Sequence, residues 1–345
     1  MLITAHGRAW LRARLGDAMV VGLLSVVYLL TGCDLPVSDR ASERDTPAVV
    51  REPASTPMQA IPVSRDVPAA ERPAPVVTGP VTFDQADQAF REKRYGDATE
   101  LFGMYAEQKP DNAWGHYMLG LSAWKAGDPA VAEVAFNEAL GRDPEHVKSV
   151  LGLSRVLIET GRAEEALEQI ESAMLIDSSS QVFRLEGRAL DELGRLDEAV
   201  DAYLEAIVRD DTDVWALNNL GFLYIRDGRE SAAIGPLARA VELAPDMAVF
   251  QNNLGVALER TGFAGSAIEA FRAALNADEA YEKALINLER VEGRGIDVDV
   301  MADLTQIAAQ FLDEVVSWRR LAQVPMNVES VPPDSIEQPD PEPIR

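Results

Sequence analysis

The chain has 345 residues, 6% of them aromatic, with 57 acidic against 32 basic side chains and a formal charge of −25. That charge opposes binding to nucleic acid phosphates, and no run of Lys or Arg offsets it locally. One cysteine and three scattered histidines (His6, His116, His146) exclude an internal disulfide and a His/Cys metal cluster, so neither a metal nor another cofactor is expected.

At the amino terminus, Arg8, Arg12 and Arg14 precede an apolar stretch from Val20 to Leu30, followed by Thr31, Gly32 and Cys33. A spanning helix needs about 20 apolar residues, so this shorter stretch fits the core of a signal peptide better, and residues 1–32 are expected to be a secretory leader. The quartet Leu30-Thr31-Gly32-Cys33 resembles the lipobox of bacterial lipoproteins. The resemblance implies that Cys33 is the diacylglyceryl-modified mature N-terminus and that the chain is held at a membrane by lipid, facing the periplasm. Asp34 resembles the inner-membrane retention signal of enteric lipoproteins and sits awkwardly with an outer-membrane location; both membranes remain in play. From residue 33 to 80, prolines at 36, 47, 53, 57, 62, 68, 73, 75 and 80 and the lack of helical period predict a disordered tether. As a flexible coil it would span about 40 Å.

Beyond residue 80 the chain repeats itself with a period of 34, most plainly in Leu220-Gly221 and Leu254-Gly255. One unit carries Gly120, Ala123, Gly127, Ala132, Phe136, Ala139 and Pro144; a later one carries Gly221, Tyr224, Gly228, Ala233, Leu237, Ala240 and Pro245 at the same offsets. Small residues let two antiparallel helices approach, the second Gly closes one helix, and Pro ends the other. Each unit is therefore a helical hairpin. The pattern resembles the tetratricopeptide repeat in period and positions. The resemblance implies an all-α, right-handed solenoid of about six hairpins over 81–292. The units start at 79, 113, 147, 180, 214 and 248, the third being one residue short, with a last helix from Glu282 to Glu292. His116 takes a core position of the repeat and is read as a packed residue without chemistry.

By the family's architecture, the second, fifth, sixth, ninth, twelfth and thirteenth residues of each first helix line an exposed inner curve. This assigns a peptide-binding groove to Trp114, Tyr117, Met118 and Trp124 in one unit and to Trp215, Asn218, Asn219 and Phe222 in another, with Asn252, Asn253 and Asn287 beyond them. Trp and Tyr commonly anchor interfaces, yet aromatic stripes at helical spacing also pack internally, and both readings stand for these rings. Asn219, Asn253 and Asn287 share the sixth position at 34-residue spacing and are read as an amide row able to pair with an extended peptide backbone.

After Gly293–Gly295, the stripe Leu304, Ile307, Phe311, Val315 and Trp318 predicts a helix from about Val300 to Ala322, expected within 293–324 to cap the last repeat, with docking on another protein as the alternative. Residues 325–345 are Pro-rich and acidic and are expected to be disordered. No phosphate-binding Gly loop or nucleophile with a partner base is evident, so the chain reads as a binder and not an enzyme; a hydrolase is the minority reading. Lipobox, tether and repeats together resemble the repeat lipoproteins of envelope assembly, notably those of tight-adherence (Flp) pili and the pilotins of type IV pili. The resemblance implies a scaffold or chaperone for protein or peptide partners in the cell envelope. A general adaptor that recruits peptidoglycan enzymes or outer-membrane assembly factors is the other reading within that class.

Overall fold

The computed structural model describes residues 79–293 and 300–322. The expected leader, Cys33, the tether before residue 79 and the tail from residue 323 lie outside the described residues. Within them there are fourteen helices and no strand. Six hairpins come first: α1 (Phe83–Arg91) with α2 (Tyr95–Gln108), α3 (Ala113–Lys125) with α4 (Pro129–Arg142), and α5 (Val147–Glu159) with α6 (Ala163–Met174). The next three are α7 (Ser180–Glu192) with α8 (Leu196–Arg209), α9 (Val214–Arg226) with α10 (Glu230–Leu243), and α11 (Ala248–Arg260) with α12 (Ala264–Ala277). Then come α13 (Glu282–Glu292) and α14 (Leu304–Ala322). The short third unit shows in α6, which has 12 residues where α4, α8, α10 and α12 have 14.

Local sequence explains the breaks. Asn112, Asp128 and Asp213 accept backbone N–H bonds at the starts of α3, α4 and α9, and Pro129 fills the first position of α4, where no N–H is needed. Each first helix from α3 to α11 ends at a glycine in the left-handed region (Gly127, Gly161, Gly194, Gly228, Gly262), a conformation that costs glycine little. The first hairpin places Lys93 there instead, at φ 57°, and carries the strain of a Cβ. Inside the hairpins, a Cβ on Gly120 would meet Phe136 Cδ1 at 2.7 Å and one on Gly221 would clash with Leu237 Cγ. These glycines let a bulky side chain of the second helix reach the first helix's backbone.

From α3 to α13 successive first helices touch one another directly, while each second helix packs mainly on the first helices of its own and the next hairpin. The first helices therefore make the tighter, inner layer of the solenoid and the second helices the outer one. His116 is buried, its Nε2 3.0 Å from the Pro110 carbonyl oxygen, as expected of a packed residue.

The C-terminal helix departs from expectation. Its stripe of Phe311, Val315 and Trp318 is buried, but against the outer layer, where α14 lies across α10 and α8 and not over the last repeat. Gly235 in α10 opens the seat: a Cβ there would press within 3.1 Å of Phe311 Cβ. Arg319 fastens the far end, donating to the Val208 carbonyl at 2.8 Å and to Asp211 at 3.0 Å, while Ser266 Oγ accepts from Ala302 N at 2.9 Å before the helix begins. Meanwhile Leu285 and Ile286 of α13 stay exposed at the end that a cap would cover. The helix is a lateral brace because the apolar seat with room for an aromatic ring lies on the side.

Candidate protein-binding surface

The inner layer is open in one place and sealed in another. In α3, Trp114 remains 39% exposed. Its ring lies 5.1 Å from Tyr117 and 5.6 Å, edge-on, from His146, which is 5.2 Å from Tyr117 in turn. Lys148 Nζ stands 5.0 Å from the Trp114 ring centroid, a cation–π contact that also brings positive charge to the patch. Burial pushes the His146 pKa below the ordinary histidine value, with Asp143 opposing and Lys148 reinforcing the shift, and its Nδ1 lies 2.7 Å from Ser149 Oγ.

Nearly three turns along α3 from Trp114, Trp124 is held from the third hairpin. Its indole N–H donates to Glu159 Oε2 at 2.7 Å and the Arg155 guanidinium lies 4.8 Å from its ring centroid. Lys125 lies 5.3 Å from the same ring. Met118, expected in the groove, is instead buried in the core with Leu101 and Phe102 of the first hairpin. It points into the seam where α3 packs on α2, the second helix of the first hairpin.

In the fifth and sixth hairpins the expected groove closes. Trp215 is 2% exposed and meets Phe250 of α11 edge-on at 5.0 Å, leaving its indole N–H without a hydrogen-bond partner. Asn218, Asn219, Asn252 and Asn253 are also buried, while Phe222 and Asn287 are half-buried. The expected amide row of Asn219, Asn253 and Asn287 is replaced by diagonal pairs. Asn253 Nδ2 donates to Asn218 Oδ1 at 3.0 Å, and Asn287 Nδ2 to Asn252 Oδ1 at 2.9 Å, both across 35 residues. Asn219 accepts a long bond from Asn218 at 3.4 Å, and Asn287 accepts from Arg290 at 2.7 Å. Adjacent first helices are offset by one residue relative to the 34-residue period, so the amides bind repeat to repeat and are not displayed to a ligand. The same diagonal recurs in Trp124 with Glu159, Asp191 with Arg226, and the Ile225 carbonyl with Arg260.

Of the residues the sequence assigned to the groove, Trp114, Tyr117 and Trp124 lie together with His146, Lys148 and Arg155, which that assignment left out. Lys148 and Arg155 occupy the second and ninth positions of α5, so the positional rule applied to the third unit would have located them.

Residues 117–182 match a family model described as tetratricopeptide repeat, and residues 187–228 match a second described as TPR repeat. These segments are tetratricopeptide repeats. Cellulose synthase operon protein C of Xanthomonas axonopodis pv. citri (strain 306) is 30% identical over 166 residues, 44% of this chain and 11% of that protein. Tetratricopeptide repeat protein 37 of Xenopus laevis is 30% identical over 204 residues, 55% of this chain and 13% of that protein. The chain thus matches only about an eighth of each of these longer proteins. Among solved structures, the APC/C hetero-tetramer Cut9-Hcn1 aligns at a TM-score of 0.54 and 16% identity, over 60% of this chain and 41% of that one, which is a likeness of fold. The tetratricopeptide solenoid is a protein-interaction architecture, and on α3 Trp114 keeps an exposed ring beside His146 and Lys148.

Proposed function

We propose that the protein is a lipid-anchored scaffold of the bacterial cell envelope that holds a partner segment on the inner face of hairpins two and three. The observation that carries the docking surface is Trp114, a large ring left 39% exposed on a rigid helix and surrounded by Tyr117, His146 and Lys148. An aromatic platform at low rotamer cost suits an apolar anchor residue, and Lys148 in a chain of charge −25 favours an acidic side chain beside that anchor. Support for the envelope comes from the Arg-flanked apolar leader and the Leu30-Thr31-Gly32-Cys33 quartet; the proline-rich stretch behind them suits a tether. On this reading the solenoid stands off the membrane and assists assembly of an envelope apparatus, such as a tight-adherence or type IV pilus.

Crosslinking the intact chain in cells, followed by identification of what it captures, tests this reading. A pilus or secretion component is expected with the wild type and should be lost with Trp114→Ala. Equal capture by both proteins would overturn the docking surface. Cys33→Ser should move the protein from the membrane to the soluble fraction, and unchanged fractionation would overturn the anchor.

A further inference from the structure

Among the described residues there are two histidines, and they stand in different places. His116 is buried against the Pro110 carbonyl, whereas His146 is half-buried in the wall of the Trp114 surface. It occupies the N-cap position of α5, and its ring meets two rings of α3 edge-on, Trp114 at 5.6 Å and Tyr117 at 5.2 Å. Its Nδ1 lies 2.7 Å from Ser149 Oγ, so the imidazole is fixed from both helices. A proton gained there changes the charge beside the exposed face of Trp114.

Each element packed on this ring acts on that proton. From α3, Trp114 and Tyr117 take the imidazole out of water. From α5, Lys148 repels a proton, and the helix N-terminus disfavours positive charge. The end of α4 supplies Asp143, which attracts one. Burial is the largest of these effects and, with Lys148, outweighs Asp143, so in the chain alone the imidazole gives up its proton more readily than an ordinary histidine. An acidic side chain seated beside Lys148 pulls the other way, because opposite charge favours the imidazolium. Linkage then requires that a ligand which raises the proton affinity of the ring bind more tightly to the protonated ring. We infer that His146 couples occupation of the Trp114 surface to proton uptake, so that the surface holds an acidic segment with an apolar anchor more tightly in mild acid than at neutral pH. This rests on the docking surface proposed above and adds its regulation.

One measurement needs no partner. On the full chain, the fluorescence that Trp114→Phe removes is quenched with iodide, an anion, and with acrylamide, which is neutral. Between about pH 8 and about pH 5, on either side of the ordinary histidine value, iodide quenching should rise about twofold while acrylamide quenching stays level. His146→Gln should abolish the rise, and Lys148→Met, which removes the repelling cation, should move it to higher pH. Circular dichroism verifies that both variants keep the helical content of the parent. No rise, a rise that survives His146→Gln, or an equal rise with acrylamide would overturn the proposal. The second measurement repeats the crosslinking capture on membranes held at the same two pH values. The product that depends on Trp114 should be about threefold stronger at the lower pH, and His146→Gln should remove that difference. Capture that depends on Trp114 but not on pH would overturn the coupling and leave the docking surface standing. Capture indifferent to Trp114→Ala at both pH values would overturn both.

Discussion

Trp114 and Trp215 occupy the same second position of a first helix, yet one is 39% and the other 2% exposed. The difference comes from the next hairpin. Behind Trp114 the chain supplies His146 and Lys148, polar groups that border the ring, whereas behind Trp215 it supplies Phe250, which covers the ring. A repeat position therefore sets where a side chain starts, and the neighbouring repeat decides whether it becomes core or surface.

The sharpest way to break this comparison is to truncate both rings. Trp215→Ala should cost about 3–5 kcal/mol in urea unfolding, as expected for a buried aromatic ring, with any loss of partner capture following the loss of folded protein. A change below about 1 kcal/mol would show that the hairpins at this end are not sealed by the ring. Next in size, Asn253→Ala removes the partner of the buried Asn218 carbonyl and should cost about 1–3 kcal/mol. Adding Asn218→Ala to it should cost less than the sum of the single changes, which a double-mutant cycle measures. Strict additivity would remove the diagonal pair from the account. Trp114→Ala should change stability by no more than about 1 kcal/mol while abolishing capture in the crosslinking experiment, the reverse of the Trp215 pattern.

The smallest effect concerns pH. His146 has a folded-state pKa below its unfolded value, chiefly through burial, so it favours the folded state fully above the unfolded value and that contribution is lost as pH falls toward the depressed one. Thermal midpoints should thus decline slightly as pH drops below about 6.5, the ordinary histidine value, and His146→Gln should flatten that part of the profile. A wild-type profile already flat there would show that the ring is not desolvated by Trp114 and Tyr117.

Much of the fold was legible because its determinants are local. Gly127 and Gly228 stand where left-handed turns form, Gly120 and Gly221 where helices approach, and Asn112 and Asp213 where helices begin; each acts within one hairpin. The stripe of α14 was legible for the same reason, but its destination was not. Gly235, which seats Phe311, reads in isolation as an ordinary glycine within a helix, and Arg319 finds Val208 and Asp211 only across more than a hundred residues. Of the expected groove, Trp114 and Tyr117 keep an open face, whereas Met118, Trp215 and the asparagines of α9 and α11 became packing.

The sequence by itself determined the period of 34, the hairpins and the small residues that hold them, since each depends on backbone conformation or on contact within one unit. Only the tertiary structure decided the stagger between units. A one-residue offset turns an expected row of Asn219, Asn253 and Asn287 into pairs of Asn218 with Asn253 and Asn252 with Asn287. No period read along a chain reveals that offset, because it is set by how the side chains of adjacent helices interlock.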